Sequence, residues 1–230
     1  MKYGEGIVPT GKPIKPKIGV FDSGVGGISV ARAIKVALPD YDVLYVADKD
    51  HVPYGTKTPR EIHGYVLPIL QDLVNRGCKA IVIACNTVTT TMIGTLRQEI
   101  SVPLVGIEPM VKPAAALTKS GGIAVCATPT TLASKRYTLL KSTYAKGVKV
   151  LEPDCSDWAH MVETNTIDRQ HIQERIEAVC RRGADVIVLG CTHYHWIEDL
   201  IKHIARGRAR VMQPEQPVIE QLKRVLKQLA

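Results

Sequence analysis

Two of the six cysteines in this 230-residue sequence stand where chemistry is a better explanation than packing. Cys85 closes the stretch Gly77-Cys78-Lys79-Ala80-Ile81-Val82-Ile83-Ala84-Cys85-Asn86-Thr87, an apolar, β-branched run that gives way to small polar residues. Cys191 closes a second copy, Gly183-Ala184-Asp185-Val186-Ile187-Val188-Leu189-Gly190-Cys191-Thr192-His193. Both copies begin with Arg-Gly (Arg76-Gly77, Arg182-Gly183), carry Ile-Val in the middle and end on the thiol. A free cysteine inside an apolar strand is usually core, and that reading serves Cys78, Cys126 and Cys180. It fits Cys85 and Cys191 poorly, because each is the last residue of its strand and precedes residues suited to a helix N-terminus. The positive end of a helix dipole lowers a thiol pKa and favours the thiolate.

Two matched thiols from an internal repeat are expected on opposite walls of a cleft. Nucleophilic catalysis needs one cysteine and a base, and a redox pair is normally adjacent in sequence. Inversion of a carbon centre, by contrast, needs a base on one face and an acid on the other. No lysine motif for a pyridoxal cofactor is evident and no C-x-x-C pair supports a zinc site, so the thiols are expected to act without a cofactor or metal.

The elements that must hold them follow from the apolar pattern. Lys17 to Phe21 reads as a strand, Asp22-Ser23-Gly24-Val25-Gly26-Gly27 as the turn out of it, and Ile28 to Leu38 as a helix. Strands at 43–47, 80–84 and 104–107 alternate with helices at 59–76 and 89–99, Pro59 suiting a first helical turn. The scheme repeats with strands at 122–127, 148–151 and 186–189, helices at 131–143 and 168–182, and a last helix at 215–229. Such alternation implies an α/β fold of two pseudo-symmetric domains, each a mostly parallel sheet flanked by helices, with the active site in the cleft between them. The expected division is a leader at 1–16, a first domain of 17–111 plus 214–230, and a second of 112–213. Ligands of open parallel sheets bind beyond the carboxyl ends of the strands, and the unusual polar clusters all fall there. The glycine turn lacks the G-x-G-x-x-G spacing of a dinucleotide site, but its free N–H groups suit a carboxylate.

Composition sets the class. With 45% hydrophobic and 23% charged residues the chain reads as an ordinary globular protein. No run approaches the ~20 apolar residues of a membrane span and no signal-peptide core is present, so a cytoplasmic protein with free thiols and no membrane partner is expected. The net charge of +8 gathers at both ends, yet aromatics make up only 5% and none interleaves with the C-terminal cations. Nucleic acid is thereby disfavoured as a partner.

The segments Ile18-Gly19-Val20-Phe21-Asp22-Ser23-Gly24-Val25-Gly26-Gly27, Val52-Pro53-Tyr54-Gly55, Ala84-Cys85-Asn86-Thr87 and Leu189-Gly190-Cys191-Thr192-His193-Tyr194 together resemble the cofactor-independent glutamate racemases of the aspartate/glutamate racemase superfamily. The resemblance runs in order from about residue 17 to the end. It implies interconversion of L- and D-glutamate for peptidoglycan in a cytoplasmic, usually dimeric enzyme. Residue by residue it implies Cys85 and Cys191 as the acid/base thiols, Asp22 assisting Cys85, and His193 and Glu163 assisting Cys191. It assigns substrate contacts to Asp22, Ser23, Pro53, Tyr54, Gly55, Cys85, Asn86, Thr87, Thr130, Cys191, Thr192 and His193. The chain departs from the family pattern at Ser156, at His195-Trp196 and at Gln213-Pro214. A racemase acting on aspartate or another amino acid, and a non-catalytic binding protein on the same fold, are the competing readings.

Overall fold

The computed structural model describes residues 15–229; the leader expected at 1–16 lies outside them except for Lys15 and Pro16. The alternating pattern builds two four-stranded, all-parallel sheets. The first joins β1 (Lys17–Asp22), β2 (Asp42–Ala47), β3 (Cys78–Ile83) and β4 (Leu104–Gly106) in the order β2-β1-β3-β4. The second joins β5 (Gly122–Ala127), β6 (Lys149–Leu151), β7 (Val186–Gly190) and β8 (Arg210–Met212) in the equivalent order β6-β5-β7-β8. The cysteine strands β3 and β7 therefore hold the same interior place, with a neighbour on each side.

Strands buried on both faces read as continuous apolar runs, and these are covered by helices on both sides. On one face of the first sheet, Phe21, Ile81 and Ile83 pack with Ile62, Val66 and Leu70 of α2 (Pro59–Asn75) and Leu96 of α3 (Asn86–Glu99). On the other, Ile18, Val20 and Val82 meet Val30 and Ile34 of α1 (Ile28–Ala37) and Val218, Leu222 and Leu226 of α10 (Glu215–Leu229). The second sheet is covered on one side by α4 (Val111–Leu117) and α6 (Lys135–Tyr144). On its other side lie α7 (Trp158–Thr164), α8 (Arg169–Arg181) and α9 (Glu198–Ala205). Between β5 and α6 the chain makes the one-turn α5 (Pro129–Leu132). Among the described residues no helix is long and apolar enough to cross a membrane.

The last helix thus lies against the sheet formed by the first half of the chain. Leu222 is fully buried there. Replacing it with alanine should cost about 2–5 kcal/mol, read as a lower urea midpoint, whereas an α10 docked only loosely would leave the midpoint in place.

Two of the expected helices differ from the sequence pattern. The helix expected over 131–143 is broken, because Ser134 adopts an extended conformation and its Oγ accepts from Tyr137 N–H at 3.1 Å, capping α6 afresh. The helix expected from Thr89 begins at Asn86. Its threonines fit because Thr90 and Thr91 return their hydroxyls to the carbonyls of Asn86 and Thr87 at 2.8 and 2.7 Å. Cys180 is half-buried near the end of α8, while Cys78 and Cys126 are core.

Candidate active site

The two cysteine strands aim their carboxyl ends at one cavity. Cys85 is the N-cap of α3 and Cys191 the N-cap of a short 3-10 turn, Thr192–Ile197. Both thiols line the same cavity, with Ser23, Pro53, Tyr54, Gly55, Asn86, Thr87, Thr128, Ala159, Thr192 and His193 completing its wall. The cavity measures about 10 Å³, room for little more than one water. A larger hollow of about 530 Å³, lined by Arg97, Lys112, Arg136 and Pro217 among others, contains neither thiol.

The surroundings of the thiols are unequal. On the first side, Cys85 Sγ lies 3.6 Å from Ser23 Oγ. Burial pushes this thiol up to about 12 and the neighbouring Asp22 pushes the same way, against hydrogen bonds from Val88 N–H and Ser23. The expectation that the helix end would favour a thiolate therefore fails at Cys85. The field of a helix terminus is a fraction of a unit charge, and full desolvation beside a carboxylate outweighs it. On the second side, Cys191 Sγ lies 3.6 Å from His193 Nδ1, and His193 Nε2 lies 2.5 Å from Glu163 Oε1. Burial works against charge on His193, but Cys191 and Glu163 hold it and raise the imidazole to about 10. Burial likewise opposes charge on Glu163, and bonds from His193 and from Val25 N–H, the latter 2.8 Å long, bring its carboxyl below the ordinary value.

Asp22 belongs to both halves. It is fully buried, and burial raises its pKa against the pull of His193, Thr192 and the Ser23 and Gly27 amides. Its Oδ2 accepts from Thr192 Oγ1 at 2.9 Å, while Oδ1 has no partner among the described residues. Asn86 is buried, and among the described residues neither side-chain atom has a partner. A buried, unpaired amide is rare enough in native proteins to call for a ligand or water.

The expected residues gather with instructive exceptions. Thr130 does not line the cavity; its Oγ1 donates to the Gly55 carbonyl at 2.6 Å and so ties the two units together. Thr128 takes the cavity position, its hydroxyl linked to Thr87 and Thr131 at 3.0 Å each. Ala159, on α7, also lines the wall and carried no chemical signal in the sequence. Asp22 and Glu163 stand one layer behind the wall, touching Thr192 and His193. The departures Ser156, His195-Trp196 and Gln213-Pro214 do not reach the cavity. His195 is turned toward α1 and α10, its Nδ1 3.3 Å from Ser29 Oγ and 3.7 Å from Glu215 Oε1.

Residues 27–222 match the family model described as Asp/Glu/Hydantoin racemase. The chain is 41% identical over 213 residues to the glutamate racemase of Methylococcus capsulatus, covering 91% of this chain and 79% of that one. Among solved structures, Escherichia coli glutamate racemase in complex with L-glutamate and the activator UDP-MurNAc-Ala superposes with a TM-score of 0.87 at 27% identity, covering 93% of this chain and 83% of that one. Francisella tularensis glutamate racemase in complex with D-glutamate gives a TM-score of 0.78 at 26% identity, covering 93% and 81%.

Proposed function

The chain belongs to the Asp/Glu/Hydantoin racemase family, and on that premise we propose that it interconverts L- and D-glutamate by proton transfer between Cys85 and Cys191. The observation that carries this reading is the pair of strand-end thiols lining one cavity from two matched units. The units are residues 17–111 with the chain from 214 onward, and 112–213. The product would supply D-glutamate for peptidoglycan, the role implied by the family.

For one enantiomer, Cys191 Sγ, beside the His193 cation, takes the α-proton. The electron pair left on the α-carbon spreads into its carboxylate as the centre flattens. Cys85, which burial keeps protonated, then delivers its own proton to the opposite face and the centre inverts. The other enantiomer runs the steps backward. The open Asn86 amide, the hydroxyls of Ser23, Thr87, Thr128 and Thr192, and the N–H groups at the start of α3 bind the ammonium and the two carboxylates, with Asp22 acting from behind the wall through Thr192. Thr130 contributes through Gly55 rather than by contact. An amino acid cannot occupy a cavity of about 10 Å³, so the two units part to admit it and close on it.

Incubation with L-glutamate in D2O tests the proposal. Loss of optical activity together with deuterium at the α-carbon is expected. The same result with aspartate and none with glutamate would move the substrate assignment, and no exchange with either would end the racemase reading.

The His193–Glu163 pair adds a test through stability. Folded His193 keeps its proton to about pH 10, whereas an unfolded histidine releases it near about 6.5. Its stabilisation is thus complete below about pH 6.5 and disappears as pH rises through about 10. In Glu163→Gln the loss of urea stability between those pH values should shrink, and equal losses in both proteins would show that Glu163 does not hold the charge.

A further inference from the structure

The cavity loop is gripped from behind by a group that the proton-transfer scheme does not use. Asp48 follows β2 and is buried, with 7% of its surface exposed. Its backbone N–H donates to the Asp22 carbonyl at 3.2 Å. Its carboxylate accepts from His51 Nδ1 at 2.8 and 2.9 Å and, at Oδ2, from Tyr54 OH at 2.5 Å. The His51 ring in turn stacks on Tyr65 of α2, with centroids 3.8 Å apart and planes 12° apart. A buried carboxylate is costly unless it is fully hydrogen-bonded, and here the bonds come from either end of the 51–54 segment. The loop is therefore held in one shape by its own unit.

Among the described residues the opposite unit holds the same loop by a single side-chain hydrogen bond, Thr130 Oγ1 to the Gly55 carbonyl. That bond breaks when the units part; the Asp48 bonds do not. We propose that Asp48 and His51 are positioning residues for the substrate loop, keeping Pro53, Tyr54 and Gly55 in their substrate-receiving shape while the cleft is open. This inference rests on the glutamate reading above. A loop that reaches its binding shape only part of the time weakens apparent affinity by that fraction. Once substrate and Thr130 have closed on it, the loop is restored and the chemical step proceeds normally.

Steady-state kinetics of the full chain with glutamate read this directly. His51→Ala should raise KM about five- to twenty-fold, with kcat within about two-fold of the original. His51→Asn, whose amide can still donate to Asp48, should recover most of the loss. Tyr54→Phe combined with His51→Ala should cost less than the two single changes added, because both act through one carboxylate. Unchanged KM in His51→Ala, a fall confined to kcat, or no recovery in His51→Asn would overturn the inference. A second measurement needs no turnover. The loop lines the cavity beside Cys85, so alkylation of Cys85 by iodoacetamide, located by peptide mass, should speed up in His51→Ala and slow again in His51→Asn. Equal alkylation rates in all three proteins would overturn the inference even if glutamate proved not to be the substrate. Absent glutamate turnover by the unaltered chain would sink the racemase reading alone.

Discussion

Cys85→Ala and Cys191→Ala should each lower racemisation of both glutamate enantiomers by at least about 10³-fold, within the range that a positioned acid or base supplies. Both losses are expected because inversion needs a proton removed on one face and delivered on the other, so either thiol alone is insufficient. The variants separate when the second proton is not needed. With a glutamate analogue carrying a leaving group on the β-carbon, removal of the α-proton forms the Cα–Cβ double bond as the leaving group departs. Each variant should eliminate from one enantiomer only, and the two should choose opposite enantiomers. Their rates should differ as well. Cys191→Ala relies on Cys85 as the base, and burial with the neighbouring Asp22 holds that thiol at about 12. Its elimination should be the slower and should climb through the alkaline range. Equal elimination from both enantiomers in either variant would show that the thiols do not face opposite sides of one carbon.

That unequal pair marks the boundary of what could be read from residues. The repeat around Cys85 and Cys191 was legible because strands buried on both faces must be continuously apolar, so a run that ends on a thiol and small polar residues points to a sheet's carboxyl edge. Seven of the eight described strands and helix α10 follow from the same rule of period and length; β8 is the exception, because none of its three residues is buried and it follows Arg206 and Arg208 without an apolar run. The seven-residue α7 was invisible for a different cause. It is held by tertiary contact, Trp158 meeting Tyr194 edge-on at 5.2 Å, and it carries Ala159 into the cavity wall without any chemical signature. Thr128 and Thr130 are neighbours of one type, and only backbone direction decides which hydroxyl enters the site. The proton affinity of Cys85 was legible least of all. It depends on burial and on Asp22, residues apart in sequence and adjacent only after folding, and these override the local helix end.

Gly26→Ala should lower kcat/KM at least about 100-fold, the cost expected when catalytic groups are displaced by about an ångström. A Cβ at this position would lie 2.6 Å from His193 N, 2.6 Å from Thr192 Oγ1 and 2.8 Å from the Thr192 carbonyl carbon. Two of those atoms are backbone, so the clash cannot be relieved by rotating a side chain; the 3-10 turn behind Cys191 must move away from the start of α1. Such movement also breaks the bond from Thr192 to Asp22. On the proposed opening of the cleft the units relieve the clash by parting, so the urea midpoint should fall much less than activity does. Gly24→Ala offers the contrast. Its Cβ would lie 1.9 Å from Glu163 Oε1 and 2.8 Å from His193 Nε2, both side-chain atoms, the closer one the far end of a flexible chain. Glu163 can swing aside at the expense of its bonds to His193 and Val25. That variant should keep more activity than Gly26→Ala and should show the same weakened pH dependence of stability as Glu163→Gln. Gly64→Ala, in α2 with nothing within 4 Å of the added carbon, should retain full activity and gain about 0.5–1 kcal/mol from helix propensity. Wild-type kcat/KM in Gly26→Ala would mean that the catalytic state does not bring the Thr192-His193 turn against the glycine turn.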